Sequence, residues 1–142
     1  MSVECFFDTN ILVYQLDKSD PHKHAIAERL VGQALTRGDA CISFQVVQEC
    51  LNTVLRKARV RLESAEARTW LDTVLHPLCQ VQPSIDFYRH GLDLQARWKF
   101  SFYDSLIVAA ALEAGCKRLV SEDLQHGQRI QGLRIENPFR AA

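Results

Sequence analysis

The sequence carries no net charge: 17 Lys and Arg face 17 Asp and Glu. That excludes the strongly basic surface of a protein that grips nucleic acid by charge alone. Any such contact has to come from a local patch or through bound cations. Long apolar runs are missing as well. The longest, residues 106–112, falls far short of the ~18 residues of a membrane span. No basic segment precedes the first apolar run, which itself contains an acid, so no secretory leader is expected. The five cysteines are odd in number and show no C-x-x-C spacing. Cys5, Cys41, Cys50, Cys79 and Cys116 each sit in an apolar run, which predicts reduced core residues of a cytoplasmic protein rather than a zinc site or a disulfide framework. The sequence holds no internal repeat, low-complexity tract or charged tail.

What is present is a globular composition, 47% hydrophobic and 24% charged over 142 residues. It predicts one domain over 1–142 with its own core and excludes disorder as the dominant state. Apolar segments alternate between short β-rich runs and helical patterns. Strands are expected over 3–7, 41–43, 78–81, 118–121 and 133–135. Helices are expected over 11–16, 21–38, 44 to about 58, 64–75, 84–98 and 102–114. Ser19-Asp20-Pro21 is a helix start, Pro77 a stop and Gly115 a C-terminal cap. Strands separated by helices of ten or more residues imply parallel pairing with right-handed crossovers. The expected fold is therefore α/β: a three-layer α/β/α sandwich around a mostly parallel sheet. Ligands in such sheets sit beyond the carboxyl ends of the strands.

Acids occur where that rule directs attention. Asp8 follows the first strand directly; it reads as a helix cap or as a metal ligand. Asp123 follows the 118–121 strand and reads as a turn residue or a ligand. Asp104 heads a helix that is apolar nearly all round, with Ile107, Val108, Ala111 and Leu112 on its own stripe. Ser101-x-x-Asp104 also resembles a capping box, with Asp in place of Glu or Gln. Glu49 falls on the polar side of its helix with Gln45, Thr53 and Arg56; pattern alone reads it as a solvated surface residue, with a cleft as the alternative that spacing does not decide. Carboxylates gathered in one pocket repel unless a cation joins them. Oxygen ligands without a matching His or Cys set select hard ions, Mg²⁺ or Mn²⁺, whose usual chemistry is phosphoryl transfer.

The segments FFDTNILVY, ISFQVVQECLN, SFYDSLIVAAALEAG and LVSEDLQHGQ, with IENPF after them, together resemble a PIN-domain ribonuclease. Within that family they are most similar to the VapC toxin branch of bacterial toxin–antitoxin pairs. The resemblance implies a Mg²⁺-dependent endoribonuclease that hydrolyses phosphodiester bonds with metal-activated water. It implies a VapB-type antitoxin as partner and a homodimer. Its acidic quartet maps onto Asp8, Glu49, Asp104 and Asp123 as catalytic metal ligands, with Thr9, Asn10 and Ser121 lining the same pocket.

An RNA substrate needs phosphate contacts beyond the metal. The densest basic stretch holds Arg56, Lys57, Arg59 and Arg61, although cations at a helix C-terminus also complement its dipole. Arg97 and Lys99 precede the Asp104 helix and are candidates to flank a substrate channel. Phe100, Phe102 and Tyr103 are expected in the core, with stacking on unpaired bases as the alternative. His22 and His24 are expected at the surface and His126 in a loop. Trp70 and Leu71 suit a core or an interface equally. The rival readings are a catalytically silent PIN scaffold, a DNA or structure-specific nuclease of the same fold, and a haloacid-type phosphatase. The last requires Asp-x-Asp where this chain has Asp8-Thr9-Asn10.

Overall fold

The computed structural model describes residues 3–56 and 60–140. β1 (Cys5–Phe7) passes through Asp8, the N-cap, into α1 (Thr9–Leu16). α2 (Pro21–Arg37) begins on the expected Asp20 cap and Pro21 and ends at Gly38, whose φ of 70° only glycine adopts freely. β2 (Ala40–Ser43) runs into α3 (Phe44–Leu55), where the Ser43 hydroxyl caps the Val46 N–H. Three strands and three helices complete the main frame: β3 (Cys79–Val81), α6 (Ile85–Trp98), α7 (Phe102–Glu113), β4 (Arg118–Val120) and β6 (Leu133–Glu136), with α4 (Ser64–Trp70) before them.

The sheet order is β3-β2-β1-β4-β6 with β5 (Arg129–Ile130) at the rim. Every pair is parallel except β5 with β6. Chain order runs 3-2-1 on one side and jumps to 4 on the other. The switch therefore falls between β1 and β4, where open α/β sheets bind their ligands. Cys5, Phe7 and Val120 point to one face, where Leu30, Gln33 and Arg37 of α2 close over them. Phe6 and Leu119 point to the other and are fully buried. α7 packs against β2 and β4, which gives the α/β/α layering expected.

α7 is buried from Ser105 through Ala111, as its all-round apolar sequence demands. It lies close against α6 at Gly91, where a Cβ would come within 2.6 Å of Leu106 Cδ2. Trp70 is a core residue whose Nε1 donates to Gln15 Oε1 at 3.1 Å, and Leu71 packs against the same core. Cys5, Cys41, Cys50 and Cys116 are buried, Cys79 is half-buried, and all are free thiols. Burial pushes the Cys5 thiol up to about 11, which leaves it unreactive.

The structure departs from expectation in several places. Pro77 does not stop the helix that begins at Ser64. The helix passes through a π-helical turn (Leu71–Leu75) into α5 (His76–Leu78) before β3 starts at Cys79. The His76 N–H reaches back to Leu71 O, a five-residue step. That re-registers the ladder just ahead of the residue that cannot donate. The antiparallel β5–β6 hairpin was not expected. Its two turn residues, Gln131 and Gly132, both have positive φ, 51° and 88°, as a type I′ turn requires. α3 ends at Leu55, and the rest of its expected span, 57–58, lies outside the described residues.

Candidate active site

The parallel pairing of β1 with β4 sets Phe7 beside Val120. The residues that follow the two strands therefore emerge side by side, and the Asp8 N–H donates to Val120 O at 3.0 Å. α3 brings Glu49 to this edge and the first turn of α7 brings Asp104. Asp8, Glu49, Asp104 and Asp123 line one open cavity of about 300 Å³, together with Thr9, Asn10, Asn52, Thr53 and Ile107. Four acids from positions 8 to 123 thus share one space at the switch point of the sheet.

Three of the acids are held by different neutral donors. Asp8 Oδ1 accepts the Thr9 N–H at 2.8 Å, so it is the cap of α1, while Oδ2 accepts from the Ser121 hydroxyl at 2.8 Å. Cap and site residue are one and the same. The Thr9 hydroxyl donates to Glu49 Oε1 at 2.5 Å, and Gln45 Nε2 donates to Glu49 Oε2 at 3.2 Å. Asn10 Nδ2 donates to Asp123 Oδ2 at 2.9 Å. Ser121 Oγ also accepts the backbone N–H groups of Asp123 and Leu124, at 3.2 and 3.3 Å, which folds the turn after β4 back onto the site. The polar residues expected to line the pocket, Thr9, Asn10 and Ser121, are thus the ones that orient three of the acids.

Glu49 faces the cavity rather than bulk solvent, so the question left open by its helical spacing is decided for the cleft. Ser101 caps the Asp104 N–H at 3.1 Å, which supplies the forward bond of the expected capping box; the carboxylate itself lines the cavity.

Burial is the largest influence on Asp8 and pushes its carboxyl up to about 6, against the opposing pull of the Ser121 and Thr9 hydrogen bonds. Asp123 is raised as well, by burial first and then by the charges of Glu122 and Asp104. Among the described residues, none of the four acids is ion-paired with a Lys, Arg or His. The donor chemistry, all carboxylate oxygen and all of one sign, fits a hard divalent cation. The side chains are not preassembled for it. Among the described residues no three His, Cys, Asp or Glu groups already converge in ligand geometry.

None of the expected phosphate contacts among the described residues lines the cavity itself. Arg56 caps the C-terminus of α3 and is exposed; Arg61 is exposed too, and Lys57 and Arg59 lie outside the described residues. Arg97 and Lys99 are exposed at the end of α6, with the Arg97 guanidinium 5.4 Å from the Trp98 ring centre. Phe100 packs against the core, but Phe102 and Tyr103 are exposed, contrary to expectation. The helix face below them is already filled by Ser105, Leu106 and Ile107. His22 is exposed. His24 is half-buried instead, with Nδ1 2.9 Å from Tyr14 O. His126 lies in a loop, where Nδ1 accepts the Asn137 N–H.

Sequence reasoning missed two features. Gln45 joins the carboxylate of Glu49 to Tyr103 O at 3.2 Å; its spacing of four from Glu49 was the available signal. Glu122 is bound by Tyr14 Oη at 2.9 Å and by an ion pair with Lys23. Nothing local in the sequence marks that contact, because Lys23 lies far away in the chain.

Comparison with known proteins agrees with this geometry. A search of curated proteins finds no match. Among solved structures, the fold is similar to a VapBC complex from Salmonella typhimurium bound to DNA (TM-score 0.68, 21% identity, 96% of this chain and 98% of that one). It is similar to a toxin–antitoxin complex from Klebsiella pneumoniae (0.66, 20%, 95% and 98%). It is also similar to VapC20 of Mycobacterium tuberculosis, described as a sarcin-ricin loop cleaving toxin (0.63, 21%, 84% and 90%). The family model of the PIN domain matches residues 5–129, a span that holds all four acids and the strands that present them. The chain belongs to the PIN domain family.

Proposed function

We propose that the protein is a metal-dependent endoribonuclease and the toxin of a toxin–antitoxin pair. One observation carries this reading: four carboxylates from separate elements line one cavity at the sheet's switch point, with no cationic side chain among the described residues paired to them. Mg²⁺ or Mn²⁺ held by Asp8, Asp104, Glu49 and Asp123 would supply Lewis-acid activation of water and of a phosphate oxygen. The chain's own contribution is orientation. Ser121 and the Thr9 N–H fix Asp8, Thr9 and Gln45 fix Glu49, and Asn10 fixes Asp123. A cation between substrate and pocket also lets a protein without net charge approach a polyanion.

RNA as substrate and a VapB-like protein as inhibitor are supported by the kind of structure the fold resembles, a ribosomal-loop cleaving toxin and toxin–antitoxin complexes. A homodimer in the cytoplasm belongs to the same reading. Among the described residues no helix is long and apolar enough to cross a membrane. The silent-scaffold alternative rests on the acids' not converging in the structure.

Hydrolysis of a labelled RNA with Mg²⁺ discriminates the two. Cleavage should stop in EDTA and in Asp104→Asn, whose circular dichroism should match the parent. Full activity of pure Asp104→Asn would refute the assigned role. No cleavage by the wild type under any divalent ion would favour the scaffold.

A further inference from the structure

The short link between α6 and α7 gathers three kinds of chemistry in one stretch of chain. Arg97 and Lys99 are exposed cations. Phe102 and Tyr103 are exposed aromatics, 41% and 65% accessible. Asp104 belongs to the acid cavity. Two large rings at adjacent positions stay in water although the seven residues from Ser105 to Ala111 are all buried.

The rings do not sit on a loose flap. The Ser101 hydroxyl caps the Asp104 N–H, and the Ser105 hydroxyl bonds back to Ser101 O at 2.9 Å. The Gln45 amide holds Tyr103 O and Glu49 together. The backbone that presents the aromatic pair is thereby tied to one of the cavity's own acids. The rings meet edge to face, with centres 5.4 Å apart and planes at 68°. An edge-to-face contact covers only one of their four faces, so aromatic surface remains for a third partner.

We propose that Phe102 and Tyr103 form a stacking platform for an unpaired base of the RNA substrate, next to the phosphate that the acid cavity receives. This rests on the ribonuclease reading. A single strand carries flat apolar bases and phosphates together, and this stretch of chain offers a partner for each: exposed cations at 97 and 99 and exposed rings at 102 and 103, directly before the cavity acid at 104. Stacking on aromatic side chains accepts any base. A paired base, already stacked in its helix, cannot use the platform, so the strand must be unpaired at this point.

The test reads binding in an Asp8→Asn background with Mg²⁺, so that no cleavage intervenes. Into it go Phe102→Ala, Tyr103→Ala, the double variant and Tyr103→Trp. Labelled single-stranded RNA, the same RNA with abasic sites, and a duplex of the same sequence are compared by fluorescence anisotropy. Removing both rings should weaken intact single strands about 10- to 100-fold, leave the abasic RNA and the duplex unchanged, and be rescued at Tyr103 by tryptophan. Equal losses for intact and abasic RNA, unchanged affinity after ring removal, or no binding of RNA at all would each overturn the platform. So would dissociation of a dimer on ring removal with RNA affinity per chain unchanged, because a second copy of the chain would then cover the rings. The two readings fail separately. A wild type that binds RNA through the rings but never cuts it loses the nuclease assignment and keeps the platform. A protein that cuts intact and abasic RNA alike does the reverse.

Discussion

Asp8 carries opposed demands in one side chain. As the cap of α1 it accepts the Thr9 N–H, and as part of the cavity it is buried to 8% accessibility among other acids. Its carboxyl titrates near 6 in the folded chain against 3.8 in its ordinary state. Between those values the folded form binds more protons than the unfolded one, so its contribution to stability is present below pH 4 and is lost as pH rises through 6. The amount is about 3 kcal/mol at most. Asparagine still caps a helix and carries no charge. Asp8→Asn in EDTA should therefore raise the unfolding free energy above pH 6 by about 1–3 kcal/mol, with little change at pH 4. Denaturant titrations at the two pH values check this, and equal stability of the two proteins at pH 7.5 would show that Asp8 ionises without cost. If the proposed function holds, the same variant should not cleave RNA.

The turn after β4 is an element built from two sides. Ser121 Oγ gathers the Asp123 and Leu124 N–H groups from within. From outside, Lys23 on α2 and Tyr14 on α1 take the two oxygens of Glu122, and Lys23 also lies 5.1 and 5.6 Å from the Tyr14 and Phe139 ring centres. Lys23→Met should quicken amide exchange at Asp123 and Leu124 roughly tenfold and lower kcat with KM little changed. Lys23→Arg should retain most of both. Exchange that rises across the whole sheet instead would mean a general loss of stability rather than a local release of the turn.

This turn also marks the limit of what the sequence discloses. The strand-to-acid steps at Asp8 and Asp123, the Ser43 and Ser101 caps and the buried α7 are local patterns, and the chain states them plainly. The hairpin at Gln131-Gly132 was legible in principle from a glycine turn flanked by Ile130 and Leu133, but two-residue strands are too brief to show period-two alternation. The π-helical turn before Pro77 was not legible, because proline alone reads as a stop. Glu49 was ambiguous by spacing, since a face lining a polar cleft has the composition of a face in water. The Lys23–Glu122 pair is tertiary and leaves no local trace.

At the scale of the whole molecule, the proposed metal binding would couple folding to cations. An ion that binds the folded chain alone stabilises it by mass action, about 2.7 kcal/mol at a hundredfold excess over its dissociation constant. Calorimetric Tm should rise by several degrees with Mg²⁺ or Mn²⁺, more at pH 7.5 than at pH 5, where protons compete for Asp8. Asp8→Asn and Asp104→Asn should each lose most of the rise. An unchanged Tm at millimolar Mn²⁺ in the wild type would argue against a metal site in this cavity.

The rim hairpin has a consequence of another kind. β6 is four residues long and would otherwise offer its outer backbone to any passing strand. β5 occupies that side with only two residues, and the Gln131-Gly132 reversal keeps the donor chain local. A left-handed pair of turn residues thus serves as insulation: the border that remains is only two residues long, a poor template for growth into fibres.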